Sequence, residues 1–182
     1  MNKSFLTLLL IAFLAIPTLQ AQVTAKDFNK LDKSPLDIVL FRGADKEPLV
    51  KVIYSRPYKN GREILGGIVK YDEVWRTGAN ETTEVTFFED MQFGDQDVAA
   101  GTYSLFTMPG KEEWTIILNK DTDTWGSYGY NKEQDVARIK VKSKSLNEPI
   151  ENFTISIKPK EGGATMLMAW DTFYVPVPLS TK

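Results

Sequence analysis

The sequence predicts an all-β protein folded as an antiparallel β-sandwich, with an open β-barrel as the alternative. Three observations support this prediction. Short segments alternate apolar and polar residues with a period of two, which is typical of strands with one buried face. Turn residues separate these segments, and no long segment shows helical periodicity. About eight short antiparallel strands without long helices favour two packed sheets.

The first half of the predicted core contains two hairpin patterns. Residues 38–41 and 49–54 flank a turn at residues 43–46, and residues 84–88 supply a further strand. Residues 101–108 and 114–118 flank the turn dipeptide Pro109-Gly110, so residues 101–119 are predicted to form one hairpin. Short helices are expected at residues 25–31 or 64–69.

The later strands alternate more regularly. Residues 137–142 and 153–158 place apolar and polar side chains on opposite faces, which is the pattern of sheets with one wet face. Residues 165–171 and 173–177 form the last strand or pair of strands. Pro176 and Pro178 are expected to lie at a sheet edge, because proline cannot donate to a ladder of hydrogen bonds. Without repeats or linkers, residues 22–182 are predicted to be one domain.

The N-terminal residues have the layout of a secretory signal peptide. Lys3 supplies a positive charge, residues 5–16 are uncharged and almost wholly apolar, and Pro17 ends that run. Small or apolar residues at 19–21 suit signal peptidase, which predicts a signal peptide of residues 1–21 with cleavage before Gln22. The apolar run is short for a membrane span, which needs roughly 20 residues. We therefore expect a periplasmic or secreted protein with no membrane anchor after cleavage.

The composition excludes several kinds of chemistry. The chain has no cysteine and no histidine. Lipidation at an N-terminal cysteine, disulfides, Ser-His-Asp or Cys-His catalysis, and zinc or copper sites built on thiolate or imidazole are all excluded. Lys and Arg total 22 against 24 Asp and Glu, without a basic patch, so nucleic-acid binding is not expected. We predict no cofactor and no metal, and the oligomeric state stays open.

Residues 54–83 interrupt the alternation and carry the candidate site. Irregular loops of this length in compact domains are usually functional or disordered, and the many aromatic residues here argue against disorder. The segment also holds three of the five arginines, whose planar guanidinium groups suit carboxylates and phosphates. A small polar or anionic ligand, such as a carbohydrate, is therefore predicted to bind here. The candidate ligand-binding residues are Arg56, Arg62, Glu63, Trp75, Arg76, Asn80 and Glu81.

Several motifs together resemble a family of uncharacterised exported proteins common in Bacteroidetes, catalogued as a domain of unknown function. The motifs are Y-S-R-P-Y-K-N-G-R-E-I (residues 54–64), V-W-R-T-G-A-N-E (74–81), A-G-T-Y-S-L-F-T-M-P-G (100–110), E-W-T-I-I-L-N (113–119) and W-G-S-Y (125–128). The resemblance covers nearly all of residues 22–182. It implies a location outside the cytoplasm, and it implies no reaction and no site residues.

Each candidate group also has a structural interpretation. The arginines either converge on an anionic ligand or pair with Asp72, Glu63 and Glu81 and fasten the loop. The aromatic residues either form a platform for sugar rings or, at Trp75 and Trp125, plug the core. The platform candidates are Tyr58, Tyr71, Trp75, Trp125, Tyr128 and Tyr130.

Catalysis is left open by the sequence, but binding is favoured over it. Glu63 and Glu81 are candidates for a pair of hydrolytic carboxylates, which would have to lie roughly 5–10 Å apart. Their positions in a loop give no such distance. The alternatives to ligand binding are a structural or interaction protein of the cell envelope and, third, a hydrolase that uses these carboxylates.

Overall fold

The computed structural model describes residues 23–182, so the predicted signal peptide at residues 1–21 lies outside the described residues. The chain divides into two compact units, Met1–Lys30 and Leu31–Lys182. In the described part of the first unit, a 3-10 helix spans Ala25–Asp27. Thr24 caps it, because its hydroxyl oxygen accepts from the Lys26 N–H while Asp27 accepts from the Thr24 N–H.

The second unit is an antiparallel β-sandwich, which confirms the predicted fold class. Its strands are β1 Leu36–Arg42, β2 Pro48–Ser55, β3 Glu84–Phe87, β4 Met91–Phe93, β5 Gln96–Val98, β6 Gly101–Pro109, β7 Glu113–Asn119, β8 Asp135–Lys142, β9 Lys144–Lys160 and β10 Gly163–Thr181. One sheet has six strands in the order β1-β2-β3-β6-β7-β8, and the other has four in the order β5-β4-β10-β9. The two sheets are separate layers rather than parts of an open barrel.

The core lies between the inward faces of the two sheets. Val50, Val52 and Phe87 of the larger sheet are buried, as are Phe93 and Met166 of the smaller one. Their alternation along each strand is what places them on one face. Burial of side chains of this size stabilises the fold by roughly 1.5–3 kcal/mol each. The packed core therefore supplies the stability that disulfides provide in many exported domains.

Both predicted hairpins are confirmed. β1 pairs with β2 around the turn at residues 43–46, and β6 pairs with β7 around Gly110. The hairpin of β4 and β5 was not predicted, because strands of three residues are too short to show alternation. The helix expected at residues 64–69 is wrong: the segment forms turns closed by a bridge between Leu65 and Val69. Two glycines in this segment favour turns over a helix.

Helices are minor elements of the described chain. A second 3-10 helix spans Lys132–Gln134, with Asn131 as its N-cap. Across residues 23–182, no helix has both the length and the apolar character required to cross a membrane.

β10 reverses direction within its own length. The Gly163 backbone lies against the backbone of Leu179 and Ser180, which a straight strand of this length would hold roughly 50 Å apart. Asp171, near the middle, has a left-handed φ of 52°, a conformation common in tight turns. The two ends of β10 therefore run side by side.

The expectation that Pro176 and Pro178 lie at a sheet edge is wrong, since β10 lies between β4 and β9. β9 partners extend along β10 up to Tyr174, and β4 partners begin at Leu179. The prolines occupy the interval between these two ladders, where a missing N–H interrupts neither of them.

Candidate ligand-binding site

The long segment between β2 and β3 is fastened across one end of the sandwich. Trp75 exchanges two backbone hydrogen bonds with Thr107 of β6, at 2.7 and 2.9 Å. The Lys59 N–H donates to the carbonyl of Glu151 in β9 at 2.7 Å. Thr77 is fully buried, and its hydroxyl donates to Thr107. The segment is thus irregular in shape but bonded to both sheets, so it can hold side chains in fixed positions.

Arg56 and Arg62 bind the protein itself, at different places. The Arg56 guanidinium donates to Asp37 of β1 and to Thr154 of β9, both at 2.9 Å. It thereby links the edge of one sheet to the other. Arg62 donates to the carbonyl oxygens of Tyr58 and Lys59, which closes an exposed turn. Both arginines fasten the segment, as the structural interpretation expects, but their partners are not the expected Asp72, Glu63 and Glu81.

Trp75 is a packing residue. Its indole stacks on Trp170 with ring centroids 6.0 Å apart and meets Phe153 edge-on at 5.1 Å. It also contacts Trp114, and its indole N–H donates to the Gly78 carbonyl. Aromatic residues of the core surround Trp75, so it is not part of the ligand site.

Arg76 differs from the other two arginines of the segment. Within residues 23–182 its guanidinium makes no hydrogen bond and no ion pair, and its Nε is buried without a partner. The guanidinium carbon lies 5.6 Å from the centre of the Trp125 ring, which is a cation–π distance. A buried donor without an acceptor is costly, roughly 1–3 kcal/mol. The Arg76 guanidinium therefore has unused hydrogen-bond donors, although the buried Nε itself is not accessible to a ligand.

Trp125 and Tyr128 present an exposed pair of aromatic rings beside Arg76. Their centroids are 5.7 Å apart and their planes lie within 11° of parallel. Trp125 is 59% exposed and Tyr128 is 84% exposed, although large aromatic side chains usually lie inside. We call Arg76, Trp125 and Tyr128 the aromatic platform. The two rings were candidates from the sequence, but their exposure could not be read from it.

Two loops are joined to build the platform. The Gly126 N–H donates to the carbonyl of Asn80 at 3.1 Å, and the Thr82 N–H donates to the carbonyl of Thr124 at 2.9 Å. Glu81 forms an antiparallel bridge with Trp125 between these bonds. Of the predicted site residues, Arg76, Asn80 and Glu81 therefore lie together at the platform. Arg56, Arg62 and Trp75 serve the packing described above.

Asn80 also holds a carboxylate near the same loop. Its side-chain amide donates to Asp32 at 3.0 Å, and the Ser34 N–H donates to the same oxygen. The two hydrogen bonds lower the pKa of Asp32, and the bond from Ser34 has the larger effect. Asn80 itself has a left-handed φ of 57°, which asparagine tolerates better than most residues.

Glu63 and Glu81 line different depressions. Glu63 borders a polar cavity of about 720 Å³ with Tyr71 and Asp171. Glu81 borders a smaller cleft of about 240 Å³ with Glu84 and Asp123. The structure places the two candidate carboxylates in separate depressions, so the geometry gives no support to their use as a hydrolytic pair.

A half-buried polar network anchors the far end of the platform loop. The Tyr130 hydroxyl donates to Asp135 at 2.7 Å and accepts from Arg138 at 2.7 Å. Arg138 and Asp135 form an ion pair at 2.6 Å, and the Tyr130 ring packs on Phe106. Burial, followed by the hydrogen bond to Asp135, raises the pKa of Tyr130 to about 12. This network fixes where the loop carrying Trp125 and Tyr128 ends.

The raised pKa of Tyr130 predicts a loss of stability at alkaline pH. An unfolded tyrosine has a pKa of about 10, so below that pH both states keep the proton and the stabilisation is complete. Between pH 10 and about 12 the unfolded state loses its proton first, and the free energy of unfolding falls. Urea unfolding at pH 9 and pH 11 measures this fall, which should be smaller in Tyr130→Phe. An equal fall in both proteins would contradict the assignment.

Comparison with known proteins identifies a family for this chain. A family model described as a protein of unknown function, DUF2911, matches residues 34–179. No curated protein and no solved structure matches the chain. The matched range includes the whole aromatic platform, the segment between β2 and β3, and almost all of the sandwich.

Proposed function

The chain belongs to the DUF2911 family, described only as proteins of unknown function, and from this premise we propose that it is an exported carbohydrate-binding protein. The ligand is an acidic sugar bound at the aromatic platform. The observation that carries the proposal is the parallel, solvent-exposed pair of Trp125 and Tyr128 beside a guanidinium that has no partner among residues 23–182.

The platform suits each part of an acidic sugar. Flat aromatic faces cover the apolar side of a sugar ring, while the polar tips of the same residues remain hydrated. The Arg76 guanidinium offers donors to a carboxylate or sulfate, in the charge-assisted geometry that arginine prefers. The exposed Glu81 carboxylate and the Asn80 amide lie on the same loop and can bind hydroxyl groups. Binding on a rigid scaffold costs little ordering of the loop.

Export is the second part of the proposal. A charged first segment, an apolar run at residues 5–16 and small residues before Gln22 support a cleaved signal peptide. The proposed location is the periplasm or the medium. A mature product whose mass begins at Gln22 would agree with this, and an intact N-terminus on the exported protein would contradict it.

The binding test uses a panel of acidic oligosaccharides, including oligogalacturonates, with neutral cello-oligosaccharides for comparison. Isothermal titration calorimetry should detect saturable binding of an acidic oligosaccharide to the mature protein. Trp125→Ala and Arg76→Ala should each weaken it at least tenfold, because each removes one of the two contacts. Thermal melting should be nearly unchanged in both, because Trp125 is 59% exposed and the half-buried Arg76 makes no hydrogen bond or ion pair with residues 23–182.

Arg62→Ala is the matched control, because Arg62 lies in the same segment but binds only turn carbonyls among the described residues. It should bind the oligosaccharide as the wild type does. The proposal fails if no acidic oligosaccharide binds, or if Arg62→Ala weakens binding as much as Arg76→Ala. Unfolding of Arg76→Ala would favour the alternative of a structural or interaction protein, which the internal bonding of Arg56 and Arg62 supports.

A further inference from the structure

An apolar groove lies on the smaller sheet, away from the aromatic platform. Its volume is about 470 Å³, within the range of about 300–1,000 Å³ found for small-molecule sites. β9 and the doubled-back β10 form it together, because the reversal of β10 brings Tyr174 and Pro176 to the same depression as Leu167. Six residues supply its apolar lining: Leu146, Ile150, Leu167, Ala169, Tyr174 and Pro176.

A polar cavity adjoins the apolar groove. This is the 720 Å³ cavity bordered by Glu63, and Lys144 lines both depressions. Lys111 and Lys142 line the polar cavity as well. None of these three lysines forms an ion pair with the residues that the structure describes. The junction of the two depressions therefore carries unpaired positive charge next to apolar surface.

The carboxylates of the polar cavity do not cancel this charge. Asp171 pairs with Lys59 at 2.5 Å, and Glu113 pairs with Lys140 at 3.2 Å. Glu63 and Glu112 remain as exposed carboxylates against the three lysines. Among the unpaired groups of the lining, three lysines therefore face two carboxylates, which leaves one positive charge in excess.

We infer that the apolar groove and the polar cavity together bind a single-chain amphiphile with an anionic head. The acyl chain lies along the apolar lining, where roughly 0.8 kcal/mol is gained per buried methylene. The head group lies in the polar cavity against Lys144, with Lys111 and Lys142 nearby. The apolar groove thus matches the tail of such a molecule, and the polar cavity matches its head.

The size of the groove favours a small molecule over a protein partner. A stable protein interface buries about 800 Å² on each side, which is 20–30 residues. The six apolar residues of the groove are too few for that. Lys158 also lines the groove and forms no ion pair with the residues that the structure describes. The lining of the groove contains lysines and no carboxylate, which matches a negative head rather than the mixed charges of a protein surface.

Titration with dodecanoate below its micellar concentration tests the inference. Calorimetry on the mature protein should show saturable binding of dodecanoate, and dodecyl phosphate tests whether a phosphate head is accepted as well. Butyrate should not bind, because its chain is too short to fill the groove. Dodecanol should bind at least tenfold more weakly than dodecanoate, because it lacks the charge that Lys144 contacts.

Two charge-reversal variants of β9 form a matched pair. Lys144→Glu should weaken dodecanoate binding at least tenfold, whereas Lys160→Glu should change it less than twofold. Lys160 is an exposed lysine of the same strand that lines neither depression. Leu167→Asn tests the apolar lining and should also weaken binding tenfold, with Ile150→Ser as a second variant if the first unfolds.

Three outcomes would overturn the inference: no binding of dodecanoate by the wild type, equal effects of Lys144→Glu and Lys160→Glu, or dodecanol binding as tightly as dodecanoate. The result is independent of the proposed carbohydrate site. Arg76→Ala should leave dodecanoate binding unchanged, because Arg76 lines neither depression.

Discussion

Replacing Gly163 with alanine should destabilise the protein by about 3 kcal/mol or more. A Cβ on this residue would lie 2.2 Å from the carbonyl oxygen of Leu179 and 2.7 Å from the Ser180 Cα. Both are backbone atoms, which cannot rotate away as a side chain would. The residue also has a φ of 156°, a conformation that alanine rarely adopts. Relief of the overlap requires the two ends of β10 to separate, and urea unfolding should show the loss.

The neighbouring glycine provides the control for this prediction. Gly162 has a left-handed φ of 70°, and no heavy atom lies within 4 Å of the position of its Cβ. Gly162→Ala should cost only about 1 kcal/mol, the price of the backbone conformation. The difference between the two variants isolates the close backbone contact. If both variants were equally stable, the ends of β10 would not meet as described.

Trp75→Ala should lower the free energy of unfolding by about 3–5 kcal/mol, as truncation of a core aromatic residue does. The change removes the contacts with Trp170, Phe153 and Trp114 at once and leaves a cavity among them. It also removes the donor to the Gly78 carbonyl, which helps to hold the turn before Asn80. Chemical denaturation followed by far-UV circular dichroism measures the change.

For Trp125→Ala, which also removes a tryptophan, we expect almost no change in stability. Trp125 is 59% exposed, so its removal should change stability by less than about 1 kcal/mol. Comparing the two variants separates the tryptophan that packs from the tryptophan that faces solvent. If the Trp75→Ala protein were as stable as the wild type but no longer bound the oligosaccharide, this prediction would be contradicted. Trp75 would then be a ligand-binding residue.

Regular alternation made much of the sandwich predictable. Long strands such as β7 and β8 repeat the pattern often enough to identify both faces, and the turn residues around Gly110 fix the hairpin. Strands β4 and β5 were not predicted, because three residues are too few to show periodicity. The sequence favours either one strand or a pair of strands at residues 165–171 and 173–177, and the structure supports the pair, because β10 reverses direction near Asp171. The apolar groove formed by that reversal was not predicted, since alternation does not show which strands lie side by side.

The sequence predicts which segment carries the candidate site, but not which of its residues belong to the site. The segment of residues 54–83 was distinguished by its irregularity and its arginines, and it does supply Arg76. Arg56 and Arg76 look alike in the sequence. Their difference arises from Asp37 and Thr154, which meet Arg56 only after β1 and β9 have been brought together. Partners so distant along the chain leave no local pattern.

The strand order also determines when the fold can be completed. Among the described residues, the β4–β5 hairpin joins the smaller sheet through β10 alone, at residues Leu179, Ser180 and Thr181. Strands β6, β7, β8 and β9 all lie between β4 and these partners along the chain. A chain that emerges from a ribosome or a translocation channel can form its early hairpins first. The β4–β5 hairpin can enter the smaller sheet only after residues 179–181 have emerged, so this hairpin waits for its place while the four later strands are made.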